Sequence, residues 1–358
     1  MKILLVHNYY SQRGGEDSYV SNLIKLFGAQ GHQVIAYTKD SRSVKTLSGL
    51  IHSINPMFSF DNRIEKDISN VIKASKPDIA HFNNVFPLIG PIAYEACRNN
   101  KLPIVQTIHN YRFLPEKEAS FGYDNYRSAI YKKLFQASIE LAIKKRVFDL
   151  VDGFVFPTMF SKGIYLKNAR FTINKASVIP HFVDVPKNVA KPKTRDTFIF
   201  AGRFSKEKGV LPLLDIFSKL PDRKLLVVGA GPQKEAVEKY KRFNNIKVVD
   251  WVDRKTLFKH INRSLALISP SLSYEVMPLS VIESLALKTQ VIVPNGPIYR
   301  EIIKNPADAV FFNKNDFNDL KDKILAFDKM LKVKTDYAKI FSPDNHSRSL
   351  IKLYNSIL

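Results

Sequence analysis

The chain has 358 residues, 45% apolar and 25% charged, a balance that excludes a disordered or fibrous protein and gives enough length for two cores. The net charge is +22, built from 28 basic against 15 acidic residues in 1–195 and 27 against 18 in 196–358; such a spread excludes a single basic tail and attracts nucleic acid, anionic lipid or phosphorylated substrates. One cysteine, Cys97, excludes an intramolecular disulfide and a cysteine-based metal cluster, and its apolar setting reads as a buried structural thiol.

The apolar run at the amino terminus is too short for a signal peptide and is broken by His7 and Asn8. No stretch approaches the roughly 18 to 20 apolar residues of a membrane span, so a cytoplasmic protein is expected. Ile3 to Val6 reads as a buried strand, followed by a Gly14-Gly15 loop. Asp17 to Phe27 then has helical spacing, with Val20, Leu23, Ile24 and Phe27 on one stripe. Gly31 stops that helix, and Val34 to Tyr37 is the next strand. Further strands are expected at Ile79 to Phe82, Ile104 to Ile108, Phe154 to Phe156 and Ser177 to Ile179, with helices between most of them.

Residues 186–197 hold two prolines and four basic residues but almost nothing large and apolar, the composition of a linker. A second series of strands follows: Phe198 to Ala201, Lys224 to Val228, Ile246 to Val249, Ala266 to Ser269 and Val291 to Pro294. The expected fold is α/β, with two Rossmann-like, doubly wound lobes at 1–185 and 198–340. The last segment, 341–358, is read as a helix packing toward the first lobe. Ligands of such sheets lie outside the carboxyl ends of the strands, which places the expected site in a cleft.

Three segments of the second half carry chemistry. Ala201-Gly202-Arg203-Phe204-Ser205-Lys206-Glu207-Lys208-Gly209 follows a strand; Arg203 and Lys208 can converge on phosphate oxygens, while Lys206 reads as solvent decoration. Val227-Val228-Gly229-Ala230-Gly231-Pro232 has Lys234 where a dinucleotide fingerprint needs its third glycine, which disfavours a nicotinamide enzyme and leaves a tight turn beside a nucleotide. In Tyr274 to Leu285, Glu275 lies ahead of a helix and Glu283 within it, while Leu279 and Ser280 present amides at the positive end of the helix. Taken alone, the two glutamates also fit a dipole-favouring charge and a solvated helix residue. In the first half, Gly14-Gly15 lets backbone approach a phosphate, and His109 ends a strand as either a structural or a catalytic imidazole.

Together with Pro77-Asp78-Ile79-Ala80-His81 and Thr107-Ile108-His109, these motifs run in order along nearly the whole chain, which resembles glycosyltransferase family 4, the retaining GT-B enzymes. The resemblance implies a transferase that moves a sugar from a nucleotide-sugar donor to a glycan acceptor, 1–185 being the acceptor-side lobe and 198–340 the nucleotide-sugar lobe. It implies that Arg203, Lys208 and the amides of Gly15, Leu279 and Ser280 hold the donor diphosphate. Glu283 would bind the ribose and Val252 would lie near the base. Glu275 and His109 would approach the donor sugar as the catalytic pair. Val276 stands where family members often carry a small or polar residue, which leaves the donor sugar open.

No Asp-x-Asp occurs in the sequence, so no metal or other cofactor is expected; the cations and helix amides can stabilise the leaving phosphate. Tyr126 to Phe148 interleaves Ile130, Leu134, Phe135, Leu141 and Ile143 with Lys132, Lys133, Lys144, Lys145 and Arg146. It reads either as a core-covering helix or as a surface that lies on an anionic leaflet. The favoured expectation is a peripheral enzyme on the inner face of the cytoplasmic membrane, with a lipid-linked acceptor in surface-polysaccharide assembly. A nucleic-acid partner is not expected, because the charge is dispersed and the motifs would go unexplained. A nucleotide-sugar epimerase of the same fold is the nearer alternative, disfavoured by the motif order of the second lobe.

Overall fold

A computed structural model describes residues 1–11, 14–42, 57–58, 61–114, 129–186, 195–328 and 332–358. Most of the linker read at 186–197 lies outside these residues. The chain forms two compact units, Met1–His181 with Asp344–Leu358, and Phe182–Pro343.

Among the described residues the first unit holds six strands, β1 (Lys2–Tyr9), β2 (Gln33–Asp40), β3 (Ile79–Phe82), β4 (Ile104–Thr107), β5 (Gly153–Phe156) and β6 (Lys175–Val178). They pair in parallel in the order β2-β1-β3-β4-β5-β6. Ile3, Leu4, Leu5 and Val6 are all fully buried, as the continuous apolar run of an inner parallel strand requires. Helices α1 (Gly15–Ala29), α2 (Asn62–Ser75), α3 (Ile92–Asn99), α4 (Ala129–Lys144) and α5 (Met159–Asn168) connect and cover the sheet. Val20, Leu23 and Phe27 of α1 are buried at i, i+3 and i+7, each contributing about 1.5–3 kcal/mol by leaving water. Cys97 is buried in α3, and burial pushes its thiol up to about 12.

The C-terminal helix, Pro343–Asn355, joins this unit from Asp344 onward. The His346 ring donates from Nδ1 to the Pro180 carbonyl at 2.6 Å and accepts at Nε2 from the Tyr19 hydroxyl at 2.9 Å. Tyr354 donates to His81 Nδ1 at 2.6 Å, and His81 Nε2 bonds Thr107 Oγ1 at 2.7 Å. The helix is thus stitched to α1, β3 and β4 through buried histidines.

The second unit holds β7 (Thr197–Ala201), β8 (Lys224–Val228), β9 (Ile246–Val249), β10 (Ala266–Ile268), β11 (Gln290–Pro294) and β12 (Ala309–Phe312), parallel in the order β12-β11-β10-β7-β8-β9. From β9 inward this is the third, second, first, fourth, fifth and sixth strand of the unit, the doubly wound order whose direction reverses between β7 and β10. Helices α6 (Val210–Phe217), α7 (Lys234–Glu238), α8 (Arg254–Arg263), α9 (Leu279–Ala286), α10 (Pro297–Ile302), α11 (Phe317–Leu325) and α12 (Tyr337–Ile340) complete it. Val210, Leu213, Leu214 and Phe217 of α6 are buried with Phe198, Leu225 and Val227 in its core.

Candidate functional site

The reversal between β7 and β10 decides where a ligand of the second unit sits, because the loops leaving those strands diverge there. Residues 202–209 follow β7 and residues 269–278 follow β10. Gly209 has φ +68, and a Cβ there would lie 2.3 Å from the Pro270 carbonyl oxygen, so the residue must be glycine for the loops to touch. The Leu272 amide donates to the Glu207 carbonyl at 2.9 Å and closes the contact. Behind it, Gly229 and Gly231 pack on the same loop: a Cβ would come to 1.9 Å from Gly202 O and 2.4 Å from Phe204 O respectively. The broken fingerprint is therefore a backbone-to-backbone brace for the loop that carries Arg203.

This packing delivers Lys208 to Glu275, Nζ to Oε1 at 2.6 Å, and Ser271 Oγ donates to the same oxygen at 2.6 Å. Burial raises the Glu275 carboxyl, but the Lys208 ammonium and these two hydrogen bonds outweigh it and hold the group below its ordinary range. Arg203 donates to Glu207 Oε1 at 2.6 Å, as does Ser205 Oγ at the same distance. Burial again opposes ionisation, and Arg203 with Ser205 again lowers the Glu207 pKa. Lys206 is exposed. Pro278 caps α9, so Leu279 and Ser280 are its first two residues, whose amides have no carbonyl within the helix.

Glu283, five residues into α9, is only 5% exposed, which rules out a solvated surface glutamate. Arg254, the first residue of α8, reaches its Oε1 at 2.7 Å, and Val252 lies half-buried two residues before. Burial raises the Glu283 carboxyl, and Arg254 pulls it partly back. Lys314 places its ammonium over the Tyr274 ring, 3.3 Å from the centroid, beside Glu275 in the chain.

In the first unit, Gly15 opens α1 and His109 follows β4. The loop before α1 is clamped by Asp17, which accepts from the amides of Gly14 at 2.9 Å and Tyr10 at 3.1 Å and pairs with His7 at 3.0 Å. Asn110 Nδ2 reaches Glu16 Oε2 at 3.4 Å, so the Gly15 and His109 loops meet at the carboxyl end of the sheet. His109 Nε2 lies 2.8 Å from Asn83 Oδ1, and Nδ1 lies 3.1 Å from His181 Nε2. Desolvation first, then the neighbouring His181 imidazole, with which it would share charge unfavourably, holds the His109 imidazole well below its ordinary pKa, so it is neutral near pH 7.

Among the motif residues, Arg203, Lys208, Glu275, Leu279, Ser280, Val252 and Glu283 all belong to the second unit, and Gly15 and His109 to the first. Glu207, Ser271, Arg254, Asp17, Asn83 and His181 were missed. Only Glu207 lay inside a motif already singled out; the others are fixed by tertiary contacts.

Residues 13–187 match Glycosyltransferase Family 4 and residues 184–339 match glycosyl transferases group 1. The chain belongs to this family of glycosyltransferases, and its two Rossmann-like units are the GT-B fold. It is 24% identical to the amylovoran biosynthesis glycosyltransferase AmsD of Erwinia amylovora, over 100% of this chain and 99% of that one. It is 25% identical to a glycosyltransferase of Methanocaldococcus jannaschii, over 91% and 88% of the two chains. The structure of HepE from Anabaena in complex with UDP superposes with a TM-score of 0.70 over 99% of this chain and 100% of that one, at 13% identity.

Proposed function

We propose that this glycosyltransferase moves a sugar, with retention, from a nucleoside diphosphate sugar to a lipid-linked glycan acceptor in surface-polysaccharide assembly. The observation that carries the donor reading is the Lys208–Glu275 pair beside the first amides of α9, at the reversal of the second sheet. When the anomeric carbon–phosphate bond breaks, negative charge grows on the leaving oxygen. Arg203, Lys208 and the amides of Leu279 and Ser280 supply positive charge to it without reorganisation. Glu275, kept ionised, faces the sugar; Glu283 accepts from the ribose hydroxyls beside Val252. We assign the Gly15 amide to the diphosphate and the neutral His109 to a donor-sugar hydroxyl. Supporting the reading are the UDP bound to HepE and the exopolysaccharide named for AmsD. The test is a panel of nucleotide sugars scored for thermal protection and hydrolysis: one should protect and turn over, and turnover should survive EDTA. Loss on chelation with rescue by a divalent ion would overturn the metal-free mechanism.

The two glutamates should divide the kinetic parameters. Glu283→Ala removes a hydrogen bond made in both ground and transition states, worth about 1.5–3 kcal/mol, so the donor KM should rise roughly 10- to 100-fold with little change in kcat. Glu275→Ala should lower kcat more than it raises KM. Arg254→Ala should resemble Glu283→Ala, and its donor KM should worsen further as pH falls, because Glu283 loses the charge that holds its pKa down. Steady-state kinetics of the three variants across pH checks this; the reverse split would exchange the two roles.

The acceptor reading depends on the membrane. Among the described residues no helix is long and apolar enough to cross one. In α4, Phe135, Ile139 and Ala142 are buried, with Phe135 edge-on to Phe86, so this face of the helix serves the core and is not available to lipid. Lys133, Lys144 and Lys145 are exposed, while Arg146 pairs with Asp149 at 2.5 Å. Tyr126 and the side chains of Ile130 and Lys132 lie outside the described residues. We therefore assign binding to charge alone, at about 1 kcal/mol per lysine within roughly 8 Å of the surface. Co-sedimentation should show binding to anionic but not neutral vesicles, lost with salt and weakened by Lys133, Lys144 and Lys145→Gln. Equal binding to neutral vesicles would return α4 to a purely structural role.

A further inference from the structure

The amino ends of the second sheet, opposite the loops described above, carry a cavity of about 630 Å3. It is lined by Thr197 and Lys224, the first residues of β7 and β8, by Lys247 of β9, and by His260 and Arg263 from the last turn of α8. The volume falls within the range of small-molecule pockets. Among the described residues of the lining Asp196 alone is acidic, and its carboxylate is held by Lys224 at 2.6 Å. Lys247 and Arg263 have no acidic partner among the described residues. Among the described residues the His260 ring makes no hydrogen bond, and the His260 carbonyl accepts from Ser264 Oγ at 2.7 Å.

Cations at the end of α8 complement the helix dipole, which accounts for His260 and Arg263 as single residues. It does not account for Lys247, which comes from a different element and brings a like charge to the same wall. Burial, then Lys247 and Arg263, depress the His260 pKa, so the three groups repel when all are charged. An anion in the cavity would convert that repulsion into attraction.

We propose that this cavity is a second anion site, distinct from the donor site, that takes a phosphate group between Lys247, Arg263 and His260. A phosphomonoester dianion offers three oxygens to three nitrogen donors, and Lys and Arg are its ordinary partners. The phosphate could belong to a soluble ester or to a lipid headgroup, and the two sources separate by experiment.

The test follows the His260 ring by NMR in the full chain, assigned with His260→Gln, through a pH titration. Inorganic phosphate at tens of millimolar should raise the His260 midpoint by about one pH unit, the lower end for a nearby opposite charge, whereas sodium chloride at equal ionic strength should raise it far less. The rise should vanish in the Lys247→Ala/Arg263→Ala variant and persist in Arg203→Ala. A rise with phosphate assigns a soluble ester. A rise with phosphatidic acid vesicles but not with phosphate assigns a headgroup. No rise in either arm, or a rise that survives the Lys247→Ala/Arg263→Ala change, overturns the site. Unaltered backbone spectra of the double variant, whose side chains are surface cations, show that the loss is not unfolding.

Discussion

Lys208→Ala is expected to lower turnover by roughly 10²- to 10³-fold, the loss measured when one preorganised donor to a developing oxyanion is removed. Two effects combine. The leaving phosphate loses a cation, and Glu275 loses the partner that outweighs its burial. With Lys208 gone, burial dominates and the carboxyl pKa moves up, so the acid limb of the pH–rate profile should shift to higher pH. That shift distinguishes pairing with Glu275 from phosphate contact alone, which would lower the plateau and leave the limb in place. Arg203→Ala should weaken nucleoside diphosphate binding by about 1.5–3 kcal/mol in calorimetry without moving the limb, because its carboxylate partner is Glu207. Unchanged affinity in folded Arg203→Ala, together with unchanged turnover in Lys208→Ala, would remove the β7 loop from the donor site.

The parts of this site that were legible in the sequence are those where local chain geometry dictates the residue. Gly209 must be glycine because of its positive φ and its approach to Pro270, and that constraint is visible as a motif after a strand. The buried run Ile3–Val6 and the α1 stripe were legible for the same reason, since period and burial are local. Arg254 was not legible: as the opening residue of an exposed-looking helix it resembles many basic residues in a chain with 55 of them. Only the packing of α8 against α9 turns it into the partner of Glu283. Asn83 and His181 were hidden likewise, because strand order, not sequence distance, brings them to His109. The Gly229–Gly231 turn was legible as a turn but not as a brace, since its partner loop lies on the neighbouring strand.

Acid should dismantle the first unit before the second. His81, His181 and His346 are buried there and His109 is half-buried, and desolvation lowers every one of their pKa values, to about 3 for His81 and about 4 for His346. The folded state therefore keeps these rings neutral at pH values where an unfolded chain, with imidazoles near 6.5, has already protonated them. Stability from this source is fully present above about pH 6.5 and is lost as pH falls from there toward the folded values. At about 1.4 kcal/mol per unit, His81 and His346 together give up roughly 5 kcal/mol by pH 4.5, comparable with the whole stability of a small domain. The hydrogen bonds involved tie the C-terminal helix to β3 and α1, so those elements should open together. Hydrogen exchange read by mass spectrometry should show β3, β4 and the C-terminal helix losing protection between pH 6.5 and 4.5, while β7, β8 and β10 keep theirs. His81→Gln/His346→Gln should be less stable at pH 7 yet flatter in its pH dependence, because two titrating groups are gone. Parallel loss of protection in both units, or an unchanged slope in the double variant, would show that carboxylates and not these histidines set the acid limit.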